Sequence, residues 1–402
     1  MSEQEYDIII VGASIAGGAA AVAATENGNA DTLILEKRRE IGHPIQCAEG
    51  LFGTANTLVP ERFVDNVART LRVHLMNGKT VELTFPNGVV KTIDRAALQR
   101  YWMDRSTDRG AELRTETIVR DVHKRGKVIL DANGKSYRAR MVIDASGPAA
   151  VIGTAAGCVE PLKEGRYAVC VQETLEHPDI DADVAEIWLN LYGGYRWSFP
   201  KGDGLSNVGL GVITNPDVFP RKGIRFEMDR TRDQYFPGAR ERNRIGGVLP
   251  ESPSLNRVAF GNTALVGDAA RTVLAHCGAG IHTGTQTGHM AGAVAARTIS
   301  EDPESSDPFA DYQRFYNEEV RPQLDRAFFL KQRFFSTKRG YNMLNRVIQL
   351  ASPLMSLSPN FLSRLALAGV DYSSDKLEEM NSFRNPKPQA TGDGNPISLG
   401  AV

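Results

Sequence analysis

The segment "YDIIIVGASIAGGAAAVAATENG" occupies residues 6–28 and holds three elements in a row. "YDIIIV" is apolar and β-branched, the composition of a strand buried in a parallel sheet. "GASIAGG" (12–18) follows as a turn, and the alanine-rich remainder reads as a helix closed by Gly28. A second strand, "DTLILEK" (31–37), ends at Glu36. This is the dinucleotide-binding layout, in which an acid stands about 20 residues past the glycine turn. Gly12 permits the tight turn, the helix N-terminus faces a pyrophosphate, and the Glu36 carboxylate takes a ribose hydroxyl. Ser14 replaces the second glycine of the fingerprint, and Gly17 stands as the third. Serine is small enough to keep the close backbone approach.

NAD and FAD both use this unit, so the choice between them rests on residues 263–284, "TALVGDAARTVLAHCGAGIHTG". Here another buried strand leads to Asp268, and "CGAGIHTG" opens a helix. A strand, a Gly-Asp pair and a glycine-rich helix start suit the ribityl chain and pyrimidine end of a flavin. Asp268 can accept from a ribityl hydroxyl, and the backbone donors at Gly280 and Ile281 can face the flavin carbonyls. "RMVIDASGP" (140–148) is a third strand ending in a small-residue turn beside the same crevice. "DRAALQRYWMDRSTDRGAEL" (94–113) reads as a helix with Arg95 and Arg100 near its start, and one of the two reaches the cofactor or both are solvated.

The chain has 402 residues, enough for two or three domains, with a formal net charge of −1, so no global field recruits nucleic acid. Cys47, Cys158, Cys170 and Cys277 have neither metal-knuckle nor disulfide spacing, which points to a reducing cytoplasm. No signal sequence opens the chain, and no uncharged apolar run reaches the length of about 18 residues that a membrane span needs. His276 and His282 lack partners at ligand spacing, so no metal is expected, and both are assigned surface or supporting roles.

The fingerprint, "EKRREIGHPIQCAEG", "YGGYRWSFP", "NVGLGV", "GGVLP" and "LVGDAA…GAGI" follow one another in this order. In that order they resemble the geranylgeranyl reductase family, flavoproteins with the p-hydroxybenzoate hydroxylase fold, and most of all its archaeal members acting on digeranylgeranylglycerophospholipids. The resemblance covers residues 6–330 clearly. It implies an α/β (α+β) architecture: a Rossmann-like three-layer FAD domain, an inserted antiparallel β substrate domain and a C-terminal helical region. The expected boundaries are 1–160 with 256–325 for the FAD domain, including some substrate-domain strands within 50–95. Residues 161–255 make the substrate domain, 326–383 a basic helical region and 384–402 a flexible tail. By matching motif positions, the resemblance implies FAD contacts at Ala16, Glu36, Cys47, Ala48, Gly50, Arg100, Val119, Asp268, Gly280 and Ile281. It departs at Ser14 and Ile15, where Gly-Pro is usual, and at Ala279.

The family activity is saturation of isolated isoprenoid double bonds, which needs a hydride and a proton. Cys47 reads as a proton donor or modulator, a plain flavin contact, or a buried small hydrophobe, and Glu49 is an alternative acid. "YRWSFP" (195–200) sets Tyr195, Trp197 and Phe199 on one face of a strand before Pro200 ends it. Those rings form either a sheet core or, as the resemblance implies, a wall for a polyprenyl chain. From Arg326 to Val370 there is no Asp or Glu but seven Lys and Arg, interleaved with apolar helical stretches. That pattern suits a membrane surface or a solvated helical cap, hence an expected peripheral location at the inner face of the cell membrane. The electron donor is open between reduced ferredoxin and NAD(P)H. Two other classes share the fold: monooxygenases or halogenases, and non-catalytic prenyl-binding carriers, which have no reason to keep the flavin loop.

Overall fold

The computed structural model describes residues 4–52, 59–125, 127–220 and 222–355. The expected tail at 384–402, Arg364 and the basic region beyond residue 355 lie outside these residues.

The nucleotide sheet is built around the buried strand Gln4–Val11, parallel to Thr32–Leu35 on one side and Lys135–Asp144 on the other. Glu112–Arg114 and Thr263–Leu265 extend it in parallel, and the antiparallel hairpin Val119–Arg125 and Lys127–Ala132 runs off the 135–144 strand. The carboxyl ends of the parallel strands therefore converge where "GASIAGG", Glu36, "DASGP" and "VGDAA" emerge, the position at which such sheets bind ligands. Two helices cover one face: Ile15–Glu26 and the long Ile281–Glu301. They touch backbone to backbone. A Cβ at Gly288 would lie 2.1 Å from Ala16 O, and one at Gly292 would lie 2.2 Å from Ala20 O. Alanine on one helix and glycine four residues apart on the other make this approach possible.

The second sheet has seven strands. Arg240–Pro250 is its edge, followed by Tyr167–Glu176, Leu205–Ile213, Gly194–Gly202, Val184–Leu189, Thr70–Leu75 and Thr80–Thr84. All neighbours are antiparallel except Val184–Leu189 with Thr70–Leu75. Residues 161–255 supply five of these strands and residues 70–84 the other two. Pro200 does not end its strand; it pairs with Ser206 at the point where the register shifts, a bulge that tolerates a residue without an N–H.

Two C-terminal helices, Arg321–Phe334 and Lys338–Met355, close the far side. Tyr341 is buried and donates to Gly194 O at 2.7 Å, and Asn345 accepts from Met76 N at 2.8 Å. The last helix is thereby fixed to both the aromatic strand and the 70–84 hairpin.

Candidate functional site

One cavity of about 1470 Å³ runs from the strand ends of the nucleotide sheet to the last helix. Gly12 has φ +106°, and a Cβ there would lie 2.3 Å from Ala145 O, so the turn is free to approach the 135–144 strand only as glycine. Glu36 is buried; its Oε2 accepts from Ala13 N at 2.8 Å and its Oε1 from Arg38 N at 2.9 Å. This fixes the carboxylate beside the turn. Gly12, Ala16, Glu36, Val119, Asp268, Gly280 and Ile281 all line the cavity. Gly17 does not. A Cβ on it would lie 1.8 Å from Gly12 O, so its role is the packing of helix against turn.

Arg100 is exposed and stands outside the cavity, whereas Arg95 lines it and donates to Ser14 Oγ at 2.8 Å. The reason is the helical period. On Arg95–Thr107, Gln99 shares the face of Arg95 and also lines the cavity, while Arg100 is turned away. Burial raises the Asp268 carboxyl, opposed by the charges of Arg95 and Arg271. His282 is buried rather than at the surface, and burial lowers its imidazole to about 4. His276 lines the cavity. Among the described residues no group of three or more His, Cys, Asp or Glu is placed to hold a metal.

The turn carrying Cys47, Ala48 and Gly50 is tied to the second sheet from several sides. Gln172 Nε2 donates to Cys47 O at 3.1 Å, Asn207 Nδ2 to Ala48 O at 3.2 Å, and Gln46 Nε2 to Gly246 O at 2.8 Å. Glu49 sits at φ +61°. Its Oε2 accepts from Lys201 Nζ at 2.8 Å and Asn207 Nδ2 at 2.9 Å, and its Oε1 from Arg95 N at 3.3 Å. Those bonds, from three elements, repay the left-handed backbone. They also make Glu49 a clamp. The Cys47 sulfur, facing the cavity, accepts from Glu49 N at 3.2 Å.

Next to this turn, Tyr195, Trp197 and Phe199 form a continuous wall, with centroids 5.8 and 6.4 Å apart along the row. Trp197 Nε1 donates to Gln172 Oε1 at 3.1 Å, so one buried glutamine joins the wall to the Cys47 turn. Gly209 on the neighbouring strand makes room for the ring; a Cβ there would lie 2.4 Å from Trp197 Cζ2. Beyond the wall the lining is apolar: Leu71, Val73, Leu83 and Phe85 on one side, Leu344 and Ile348 of the last helix on the other. Gln99, Gln172 and Gly209 escaped the sequence reading. Spacing alone carried a signal for Gln99, four residues after Arg95.

Two family descriptions match: FAD dependent oxidoreductase over residues 7–180 and geranylgeranyl reductase catalytic domain over 166–242. The digeranylgeranylglycerophospholipid reductase of Methanosarcina acetivorans is 30% identical over 351 residues, 83% of this chain and 86% of that protein. Digeranylgeranylglycerophospholipid reductase 2 of Methanopyrus kandleri is 33% identical over 335 residues, 78% of this chain and 83% of that protein. The chain belongs to the digeranylgeranylglycerophospholipid reductase family. Like its family, it is an FAD-dependent oxidoreductase.

Among solved structures, the geranylgeranyl bacteriochlorophyll reductase-like protein of Thermoplasma acidophilum superimposes with a TM-score of 0.77 at 22% identity, covering 96% of this chain and 98% of that one. The flavin-dependent brominase Bmp2 does so at 0.67 and 15%, covering 95% and 98%. At these identities the likeness is one of fold. The cavity of this chain fits a flavin on its own geometry. Both helices that start in it, at Ser14 and Gly280, lack a side-chain cap, so their first N–H groups are available to a ligand.

Proposed function

We propose that this reductase saturates the isolated double bonds of geranylgeranyl chains carried on a glycerophospholipid. The observation that carries the reading is the continuity of the cavity, from uncapped helix N-termini through an aromatic wall to an apolar end under the last helix. Bound FAD, once reduced, supplies hydride from its isoalloxazine ring. Glu36, Arg95, Asp268 and the turn Cys47–Gly50 would hold and orient it, with Cys47 joined through Gln172 to the Trp197 end of the aromatic wall. Tyr195 and Trp197 hold the prenyl chain flat and exclude water. We assign the reduction of the flavin to an external donor, NAD(P)H or reduced ferredoxin.

The lipid enters from a membrane surface. Leu344 and Ile348 of the last helix line the cavity, while Leu350 is 78% and Val347 44% exposed on its other side, beside exposed Lys338, Arg339 and Arg346. One helix thus offers an apolar inner face to the chain and a cationic, apolar outer face to an anionic leaflet. Among the described residues no helix is long and apolar enough to cross a membrane, so the association we propose is peripheral, at the cytoplasmic face.

The test is mass spectrometry of digeranylgeranyl phospholipid after anaerobic incubation with the chemically reduced holoprotein. We expect a gain of two hydrogens per double bond. Unchanged lipid beside redox-active FAD would refute the substrate assignment, and failure to retain FAD would favour a prenyl carrier.

A further inference from the structure

The edge strand Arg240–Pro250 delivers Glu251 to the cavity wall, where the residue is 7% exposed. Its backbone N–H donates to Arg166 O at 3.0 Å, which fixes the chain at that point. Leu249, two residues earlier, lies against Gly278 of the flavin loop; a Cβ on that glycine would be 3.1 Å from Leu249 Cδ1 and 3.8 Å from Tyr195 Oη. Glu251 therefore stands beside the junction of flavin loop and aromatic wall. His276, Cys277, Cys170 and Tyr195 line the same region.

Opposite the carboxyl is Lys331 from the helix Arg321–Phe334, 1% exposed. Its Nζ is 3.4 Å from Glu251 Oε2 and donates to Glu251 O at 2.6 Å and Gly165 O at 3.3 Å. Two backbone carbonyls thus hold the ammonium whatever the state of the carboxyl. A proton can leave and rejoin Glu251 without leaving a buried lysine unpaired, the situation that makes breaking a buried pair costly. The basic run of the C-terminal region has here lost one of its surface cations to the interior.

We infer that Glu251 is the proton source of the reduction, a catalytic acid set in the cavity wall and held by Lys331. This rests on the reductase reading above. In each saturation one alkene carbon takes the hydride with its electron pair. The π bond breaks, and the other carbon takes the proton of the Glu251 carboxyl. The carboxylate that remains faces Lys331 and regains a proton from water.

The electrostatics agree with the geometry. Burial lifts the Glu251 carboxyl to about 7, against the Lys331 ammonium and, next, His276. Burial lowers the Lys331 ammonium, with Arg166 adding to that and Glu251 opposing it. The neighbouring donors are held far from neutral: burial raises Cys277 to about 12 and lifts Cys170 and Tyr195 above their usual ranges. A group titrating near the working pH is the effective general acid.

The experiment compares the holoprotein with Glu251→Gln and with Glu251→Gln/Lys331→Met, which leaves no unpaired ammonium should the single variant fold poorly. Single-turnover reduction of digeranylgeranyl phospholipid is followed by mass spectrometry across neutral pH, and the protonated carboxyl band by infrared difference spectroscopy of the same proteins. In the parent protein the rate and the band should fall together as pH rises through about 7. Both variants should retain FAD, lack the band, and react roughly a hundredfold more slowly with a flat profile in that window. A variant as fast as the parent, or a parent with no carboxyl band titrating there, overturns the assignment and leaves the reductase reading standing. A parent that reduces no prenyl lipid brings down both.

Discussion

Arg95 and Arg100 are five residues apart on one helix, and their environments separate them completely. Arg95 lies between Ser14 of the phosphate turn and the carboxylates of Asp268 and Glu49, whereas Arg100 faces solvent. Removing the first strips a charged hydrogen bond from the turn and, in the FAD site proposed here, a favourable potential for the pyrophosphate. Such a bond contributes about 1.5–3 kcal/mol, so Arg95→Ala should weaken FAD binding by roughly tenfold or more. Arg100→Ala should leave it within about twofold, as an exposed substitution does. Titration of the apoprotein with FAD, followed by flavin fluorescence, checks the pair, and equal losses in both would refute the assignment. Motif matching placed the contact at Arg100 because sequence order does not reveal which face of a helix turns inward; packing against the first helix decides that.

At the scale of elements, the contact between Ile15–Glu26 and Ile281–Glu301 joins segments more than 250 residues apart and sets the direction of both uncapped N-termini. Gly288→Ala puts a methyl group against Ala16 O, a backbone atom that cannot swing aside. Overpacking of this kind costs about 1–3 kcal/mol. We expect a lower Tm by thermal denaturation together with weaker FAD binding, because Ala16 is in the phosphate turn. A loss of stability with unchanged FAD affinity would show that the two helix starts do not depend on this spacing. Both helices and the strands beside them were legible in the sequence, since alanine or glycine richness and β-branched runs are local signals. The close approach was not; that residues within 50–95 lend strands to the substrate sheet was expected from the resemblance, but the parallel pairing of Thr70–Leu75 with Val184–Leu189 was not, because strand partners are chosen by burial across the whole fold. Glu36, Asp268, the Cys47 turn and the aromatic strand stood out in the sequence by their motifs, and the fold brings them to one cavity. Gln172, Glu251 and Lys331 did not: each is an ordinary polar residue in an ordinary strand or helix until a distant element supplies its partner.

At the scale of the molecule, the proposed prenyl substrate has to leave a bilayer, and the last helix has both a cavity-lining side and an exposed side. Its inner residues Leu344 and Ile348 touch the cavity, and Tyr341 pins it to the strand that carries Tyr195. Its outer residues combine exposed apolar groups with Arg339 and Arg346, both exposed and neither lining the cavity. Each cation near an anionic leaflet contributes about 1 kcal/mol. Arg339→Gln/Arg346→Gln should therefore weaken flotation with anionic vesicles by roughly thirtyfold. The parent protein should lose binding in the same direction as salt is added, since these charges are solvent-screened. Because neither arginine meets the cavity, turnover of detergent-dispersed lipid should be unchanged while turnover of vesicle lipid falls with binding. If the variant floats as well as the parent, the cationic face has no membrane role. If dispersed and vesicle lipid are affected alike, the helix acts on the cavity itself and the chain must enter elsewhere.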